Sequence, residues 1–298
     1  MSQTVLVTGA AGRLGRAAMR ALSEAGHEVR AVDVRYEPDL PVPVRMLDLL
    51  EDLPVYEALE GCDAVVHLAN HPGPHSCPSP QRLYRENVTT NFNVFRAAAD
   101  VGVRRTIYSS SVQAICGTRH DREDADEPSC LPYLPLDGEV PACPGNAYAL
   151  SKEAGERQLR YFARMHPERS CTAIRFPFLL REKWRHWLRH RHGGREHVGN
   201  LDEGFTYLAM PDAASLLAAV VERQGPGYHQ LFPAAPDPYV DMPIPEIIEQ
   251  FYADVPCRVA PEEMESLVDI SAIRQELDWA PEHVDLFAGE GGSTDSLR

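Results

Sequence analysis

Tyr148 and Lys152 stand four residues apart in NAYALSKEAGERQLRYFARM, a stretch whose period predicts a helix, so both side chains fall on one face. A phenol with a pKa of about 10 is a poor base at neutral pH. Beside an ammonium group and a second positive charge its phenolate is favoured, and it can then take a proton from a substrate hydroxyl. An isolated Tyr-x-x-x-Lys pair usually means an aromatic packed near a solvated lysine. Here it follows RTIYSSS (105–111), which reads as a strand running into three hydroxyls, Ser109, Ser110 and Ser111. Serines at the ligand-bearing edge of a sheet offer hydrogen bonds to a carbonyl or hydroxyl; the plainer alternative is turn chemistry.

Such chemistry needs a hydride acceptor, and the start of the chain predicts where one binds. TVLVTGAAGRLGRAAMRAL (4–22) reads as a buried strand, a glycine-rich turn and a helix from about Arg13. Gly9, Gly12 and Gly15 fall at G-x-x-G-x-x-G, where glycines tighten the turn, admit a pyrophosphate and let the helix pack on the strand. The free N–H groups and positive end of that helix suit phosphates. A second strand, HEVRAVDV, carries Asp33, an acid placed to accept from the adenosine ribose hydroxyls. Its charge would repel a 2′-phosphate, so NAD is expected over NADP, with Arg13 and Arg35 the side chains able to hold such a phosphate.

The remaining elements must position these groups. Asp48, after a proline-bearing loop, suits either the adenine amino group or a helix cap, with equal weight. CDAVVHLAN (62–70) reads as a buried strand, with Ala69 small enough to let a cofactor pass. The loop HPGPHSCPSP (71–80) then lies at the strand's carboxyl end, where open α/β sheets hold ligands. Helical spacing from Leu83 to Val101 puts Val88, Phe92, Phe95 and Ala99 on one stripe, with Asn87 just before it, placed to position water or Lys152, or to satisfy a backbone group. Residues 118–145, acidic and proline-rich, read as a surface excursion over the site.

In REKWRHWLRHRHGGREH (181–197) Trp184, Trp187 and Leu188 share a helical face, and Arg185, Arg189, His186 and His190 point elsewhere. The basic run suits either a clamp for a substrate carboxylate or phosphate, or a solvated face over buried tryptophans. His186 and His190 have no third ligand at a recognisable spacing, so no metal is expected. The tail from Leu286 is expected to be disordered.

The 298 residues suffice for a large core, and a net charge of -15 argues against nucleic acid. No long charge-free run suggests a membrane span, and because the first strand begins almost at the start of the sequence, no leader is expected. Seven scattered cysteines without a C-x-x-C suggest reduced thiols in a cytoplasm.

Taken together, TGAAGRLG (8–15), Asp33, HLA (67–69), NVTTNFNVFRAA (87–98), SSS (109–111) and YALSK (148–152) resemble an extended short-chain dehydrogenase/reductase of the NAD-dependent epimerase/dehydratase group. Weaker echoes in IRFP (174–177), FTYLAMPDAA (205–214) and DISAIRQELDWAP (269–281) extend the likeness over about residues 3–285. The resemblance implies an α/β fold with a Rossmann-type doubly wound parallel sheet over 1–175 and a small substrate lobe mainly over 176–285, a stretch within which the chain can cross back to the Rossmann sheet. It also implies a homodimer through the helices that hold Asn87 and Tyr148. As catalytic residues it implies Ser111, Tyr148, Lys152 and Asn87. For NAD it implies Gly9, Gly12, Arg13, Leu14, Gly15, Asp33, Asp48, Leu49, Leu68, Ala69, Asn70, Asn87, Ser109, Tyr148, Lys152, Phe176 and Pro177. Around the substrate it implies Ser111, Val112, Gln113, Phe178, Arg185 and Arg189.

Two departures narrow the expectation. Dehydratases of the group carry Thr-Asp-Glu where this chain has Val112-Gln113, so dehydration is not expected. After Arg175 the nucleotide-sugar enzymes show Asn and then Tyr-Gly-Pro, whereas this chain reads Phe176-Pro177-Phe178-Leu179-Leu180. The chain is also similar to uronate and aldose dehydrogenases, whose substrates are free sugars. The expected activity is therefore hydride transfer from a sugar-like hydroxyl to NAD, as a dehydrogenase or an epimerase. The rival is a non-catalytic NAD(H)-binding regulator, against which the retained Ser111, Tyr148 and Lys152 argue.

Overall fold

The computed structural model describes residues 1–117, 129–186, 188, 201–284 and 286. At its centre β1 (Thr4–Thr8) lies between β2 (Glu28–Asp33) and β4 (Ala64–His67), and all pairings in the seven-stranded sheet are parallel. The order is β3-β2-β1-β4-β5-β6-β9, with β3 Val44–Met46, β5 Arg105–Ser111, β6 Ser170–Phe176 and β9 Gly227–Leu231. β4 and β6 are buried along their whole length, as strands covered on both faces require. The chain runs outward from β1 to β2 and β3, then returns to place β4 on the other side of β1. That reversal opens a crevice at the carboxyl ends of β1 and β4, the usual ligand position in such sheets.

The crossovers among the strands from β1 to β6 are carried by α1 (Arg13–Glu24), α2 (Asp52–Leu59), α3 (Pro80–Asp100) and α4 (Ala147–Met165), with β2 and β3 joined by a loop. α3 and α4 pack on each other. Ser79 caps α3 by accepting from Arg82 N, and Asn146 caps α4 by accepting from Ala149 N. The predicted stripe of α3 is displaced. Phe92 is 44% exposed, while Asn87 and Asn91 are inside, because each finds hydrogen-bond partners there.

After residue 175 the chain leaves the main sheet and later crosses back to it. β7 (Phe178–Leu180) and β8 (Tyr207–Ala209) form a separate two-stranded sheet, but α5 (Met210–Arg223) then packs against α1 and β9 adds to the edge of the main sheet. Two further helices, α6 (Ile244–Phe251) and α7 (Ser271–Leu277), complete the smaller part. Single bridges Leu134 to Cys257 and Leu136 to Val268 tie it to the loop before α4. Leu286, where a disordered tail was expected to begin, is fully buried and donates its N–H to Asp237. The rest of that tail, residues 118–128 of the excursion, and Trp187, Arg189 and His190 lie outside the described residues.

Candidate active site

The glycine turn joins β1 to α1. Gly9 has φ +68, and a Cβ there would sit 2.8 Å from Ala69 N, so the turn presses against the end of β4. A Cβ on Gly15 would overlap the Gly9 carbonyl. Gly12 caps α1 without any side-chain hydrogen bond, so no side chain competes for the helix's first N–H groups. These features fit a dinucleotide pyrophosphate: a cradle that any Cβ would fill, at a positive helix end. Asp33 is 7% exposed at the end of β2; its Oδ2 accepts from Ala11 N at 3.0 Å and its Oδ1 from Arg35 N at 2.9 Å. The acid thus fixes the turn, with the Arg35 guanidinium beside it. Asp48 is exposed and accepts from Leu50 N at 3.0 Å, a turn ahead of α2, whose N-cap is Glu51. Leu14 and Leu49 lie in the core, and Leu68 and Ala69 donate their N–H groups to Thr8 Oγ1.

Lys152 is 3% exposed and has two neutral acceptors: Nζ donates to Asn70 Oδ1 at 2.9 Å and to the Ser109 carbonyl at 2.7 Å. Burial pulls it down to about 7, with only the Glu156 charge opposing. Behind Asn70 runs a buried polar chain. Asn70 Nδ2 donates to Asn91 Oδ1 at 2.9 Å; the same oxygen meets His67 Nε2 at 3.0 Å; His67 Nδ1 meets Thr8 Oγ1 at 2.7 Å. These contacts fit a neutral His67 that donates from Nε2 and accepts at Nδ1, and burial pulls its pKa down to about 3. Tyr108 joins by accepting from Asn91 Nδ2 at 3.1 Å. A single chain of bonds therefore links the strand before the glycine turn to Lys152.

Tyr148 lies on the same face of α4, its ring centroid 5.5 Å from Lys152 Nζ, packed with Cys77 and Leu83. The Ser111 hydroxyl stands near the phenol, and it caps the turn after β5 by accepting from Gln113 N at 3.2 Å. The expected fall of the Tyr148 pKa is not produced by the chain's own groups. Burial pushes it up to about 12; the nearby Ser111 hydroxyl opposes and the Glu203 charge adds. A Lys152 that is itself pulled down to about 7 is a weak counter-charge at neutral pH.

Asn87 does not reach Lys152. Its Oδ1 accepts from His71 N at 2.8 Å and its Nδ2 donates to Ser151 Oγ at 2.9 Å, so it pins the loop after β4 to α4. Ser110 turns away and donates to Glu156 Oε1 at 2.6 Å. Val112 is 2% exposed and part of the core, so its side chain presents nothing to a substrate. Gln113 Oε1, by contrast, is buried with no hydrogen-bond partner. Phe176 ends β6 opposite Ser111 and is buried; Pro177 follows; Phe178 packs against Trp184 with ring centroids 6.0 Å apart. Arg185 lies near Tyr207, whose hydroxyl donates to Asp237. Among the described residues no group of three or more His, Cys, Asp or Glu is arranged to hold a metal, and no helix is long and apolar enough to cross a membrane. All seven cysteines are free thiols.

Sequence reasoning passed over Asn91, Tyr108 and Glu203. Asn91 carried a signal, as the polar residue one turn beyond Asn87 on α3; Glu203, in a stretch without period, carried none.

Residues 5–227 match the sequence profile of the NAD dependent epimerase/dehydratase family. An NAD-dependent glucose-6-phosphate dehydrogenase of Haloferax volcanii is 32% identical over 56% of this chain and 65% of its own length. An L-arabinose 1-dehydrogenase (NAD(P)(+)) of the same organism is 31% identical over 54% and 62%. The chain thus spans less than two thirds of each relative. Among solved structures, MoeE5 in complex with UDP-glucuronic acid and NAD superposes with a TM-score of 0.66 at 21% identity, covering 93% of both chains.

Proposed function

The chain belongs to the NAD-dependent epimerase/dehydratase family, and from that premise we propose that it is an NAD-dependent oxidoreductase acting on a hydroxyl of a free sugar or simple sugar derivative. The observation that carries this reading is the convergence of three groups, with the Ser111 hydroxyl near enough to the Tyr148 phenol to lower its pKa and Lys152 Nζ 5.5 Å from the phenol ring centroid. NAD, when bound, supplies the hydride acceptor. Tyr148 takes the proton from the substrate hydroxyl, and Ser111 holds the same oxygen. Lys152, oriented by Asn70 and the Ser109 carbonyl, offers its remaining N–H to a cofactor ribose hydroxyl. The turn at Gly9, Gly12 and Gly15 holds the pyrophosphate, and Asp33 keeps free lone pairs for the adenosine ribose. The unpartnered Gln113 Oε1, two residues from Ser111, is a ready acceptor for a second substrate hydroxyl, which favours a polyol.

The same reading extends to assembly and place. The outer face of α3 and α4 exposes Phe92, Leu150 and Tyr161, which supports a homodimer through those helices, checked by light scattering of the purified chain. Seven free thiols support a reducing, cytoplasmic setting.

The test is to incubate the protein with NAD and a panel of aldoses, uronic acids, sugar phosphates and nucleotide sugars, following NADH and sugar products together. NADH formed with a free sugar or its simple derivative is the expected result; an isomerised sugar without NADH would make the protein an epimerase instead. Tyr148→Phe is expected to remove turnover and leave NADH binding intact. Full turnover in that variant would overturn the assignment.

A further inference from the structure

Trp184, in the short turn after β7, is packed by two arginines from distant parts of the chain. The guanidinium carbon of Arg181 lies 3.4 Å from its ring centroid, and that of Arg13, the first residue of α1, lies 4.9 Å away. Phe178 braces the same indole. Aromatic stacking explains how each arginine is held but leaves their mutual repulsion unanswered. No salt bridge joins either guanidinium to a carboxylate among the described residues, and Arg181 Nε is buried with no hydrogen-bond partner. Burial and the nearby Arg13 charge together pull the Arg181 pKa below its ordinary value. Two cations with unused donors, one of them in the glycine turn and beside the open end of α1, make a site that lacks its anion.

We propose that Arg13, Arg181 and Trp184 form a phosphoryl clamp, in which Arg181, just after β7, holds one side of a phosphate that the glycine turn holds from the other. Arg13's place in that turn makes the dinucleotide pyrophosphate the first source of the phosphate; a phosphorylated sugar is the second. The clamp is independent of which hydroxyl the enzyme oxidises.

The full-length protein is titrated with NADH by its fluorescence, with inorganic pyrophosphate and glucose 6-phosphate as competitors and adenosine as the phosphate-free control. Arg181→Ala is expected to raise the NADH Kd by roughly tenfold or more, weaken competition by pyrophosphate and leave adenosine unchanged. Its NADH Kd is also expected to depend less on salt than that of the parent. Arg181→Lys, which keeps a point charge but loses the planar fork, falls between the two. Weaker competition by glucose 6-phosphate with an unchanged NADH Kd would assign the clamp to a substrate phosphate. Thermal unfolding checks that the variants are folded, and Arg181→Lys with Trp184→Phe carries the test if Arg181→Ala is not. NADH, pyrophosphate and glucose 6-phosphate all binding folded variants within about twofold of the parent would overturn the clamp.

Discussion

One turn apart on α4, Lys152 and Glu156 belong to two buried polar clusters built on opposite rules. Around Glu156 the charges are matched: Arg175, 2% exposed, donates from Nε at 2.9 Å and Nη2 at 2.8 Å to its two oxygens, and Nη1 donates to the Val140 carbonyl. Ser110 Oγ completes the carboxylate. Burial alone would lower the Arg175 pKa, but the bonds and charge of Glu156 hold it above its ordinary value. Around Lys152 the acceptors are neutral, and the cation is pulled down to about 7. The matched pair fixes α4 against β6. The unmatched lysine keeps bonding capacity and charge in reserve for a ligand, at some cost to stability.

The sharpest way to break this contrast is Glu156→Leu, which strands Arg175 in the core. A loss of roughly 3–5 kcal/mol is expected, read as a lower denaturation midpoint. Lys152→Met removes a buried cation that has no acid of its own, so stability at pH 7 is expected to hold or rise while turnover collapses. The pH dependence carries the sign. The folded pKa of Lys152, about 7, lies below its ordinary 10.5, so the unfolded chain binds more protons between those values. The lysine's destabilising effect is full below pH 7 and fades as pH rises through the window, so the stability of the parent climbs relative to Lys152→Met. Tyr148 works the other way at the top of that range, because its folded pKa, about 12, lies above the unfolded value of 10.0. Asn70→Ala takes away one of the lysine's two acceptors and is expected to cost a smaller ~1–3 kcal/mol at pH 9, with a fall in turnover. Equal losses from Glu156→Leu and Lys152→Met at pH 7 would erase the distinction between the clusters.

The two clusters were not equally legible. Glycine spacing, Asp33, the serine-ended strand and Tyr148-x-x-x-Lys152 are read directly because local geometry dictates their spacing. What holds Lys152 could not be read that way. Asn70 and Asn87 are both asparagines near the end of β4, and which one reaches the lysine depends on how α3 is rotated against the strand, a tertiary matter. That rotation buries Asn87 and Asn91 and leaves Phe92 out, against the apolar stripe, because Ser151, His67 and Tyr108 supply the partners. The direction of the Tyr148 pKa depends on burial and on Glu203, which is brought in from a distant segment. Val112 followed Ser111 in the motif, but the turn after β5 points it into the core.

The chain contains only two lysines, Lys152 and Lys183, which makes the central claim directly measurable. With lysine labelled at Cε by 13C, and Lys183→Arg used to assign the pair, the Lys152 resonance is followed by NMR as pH is raised. A midpoint near 7 is the predicted result. A midpoint at the ordinary lysine value of about 10.4 would mean that a counter-charge reaches Lys152 after all, and the contrast with Glu156 and Arg175 would fall.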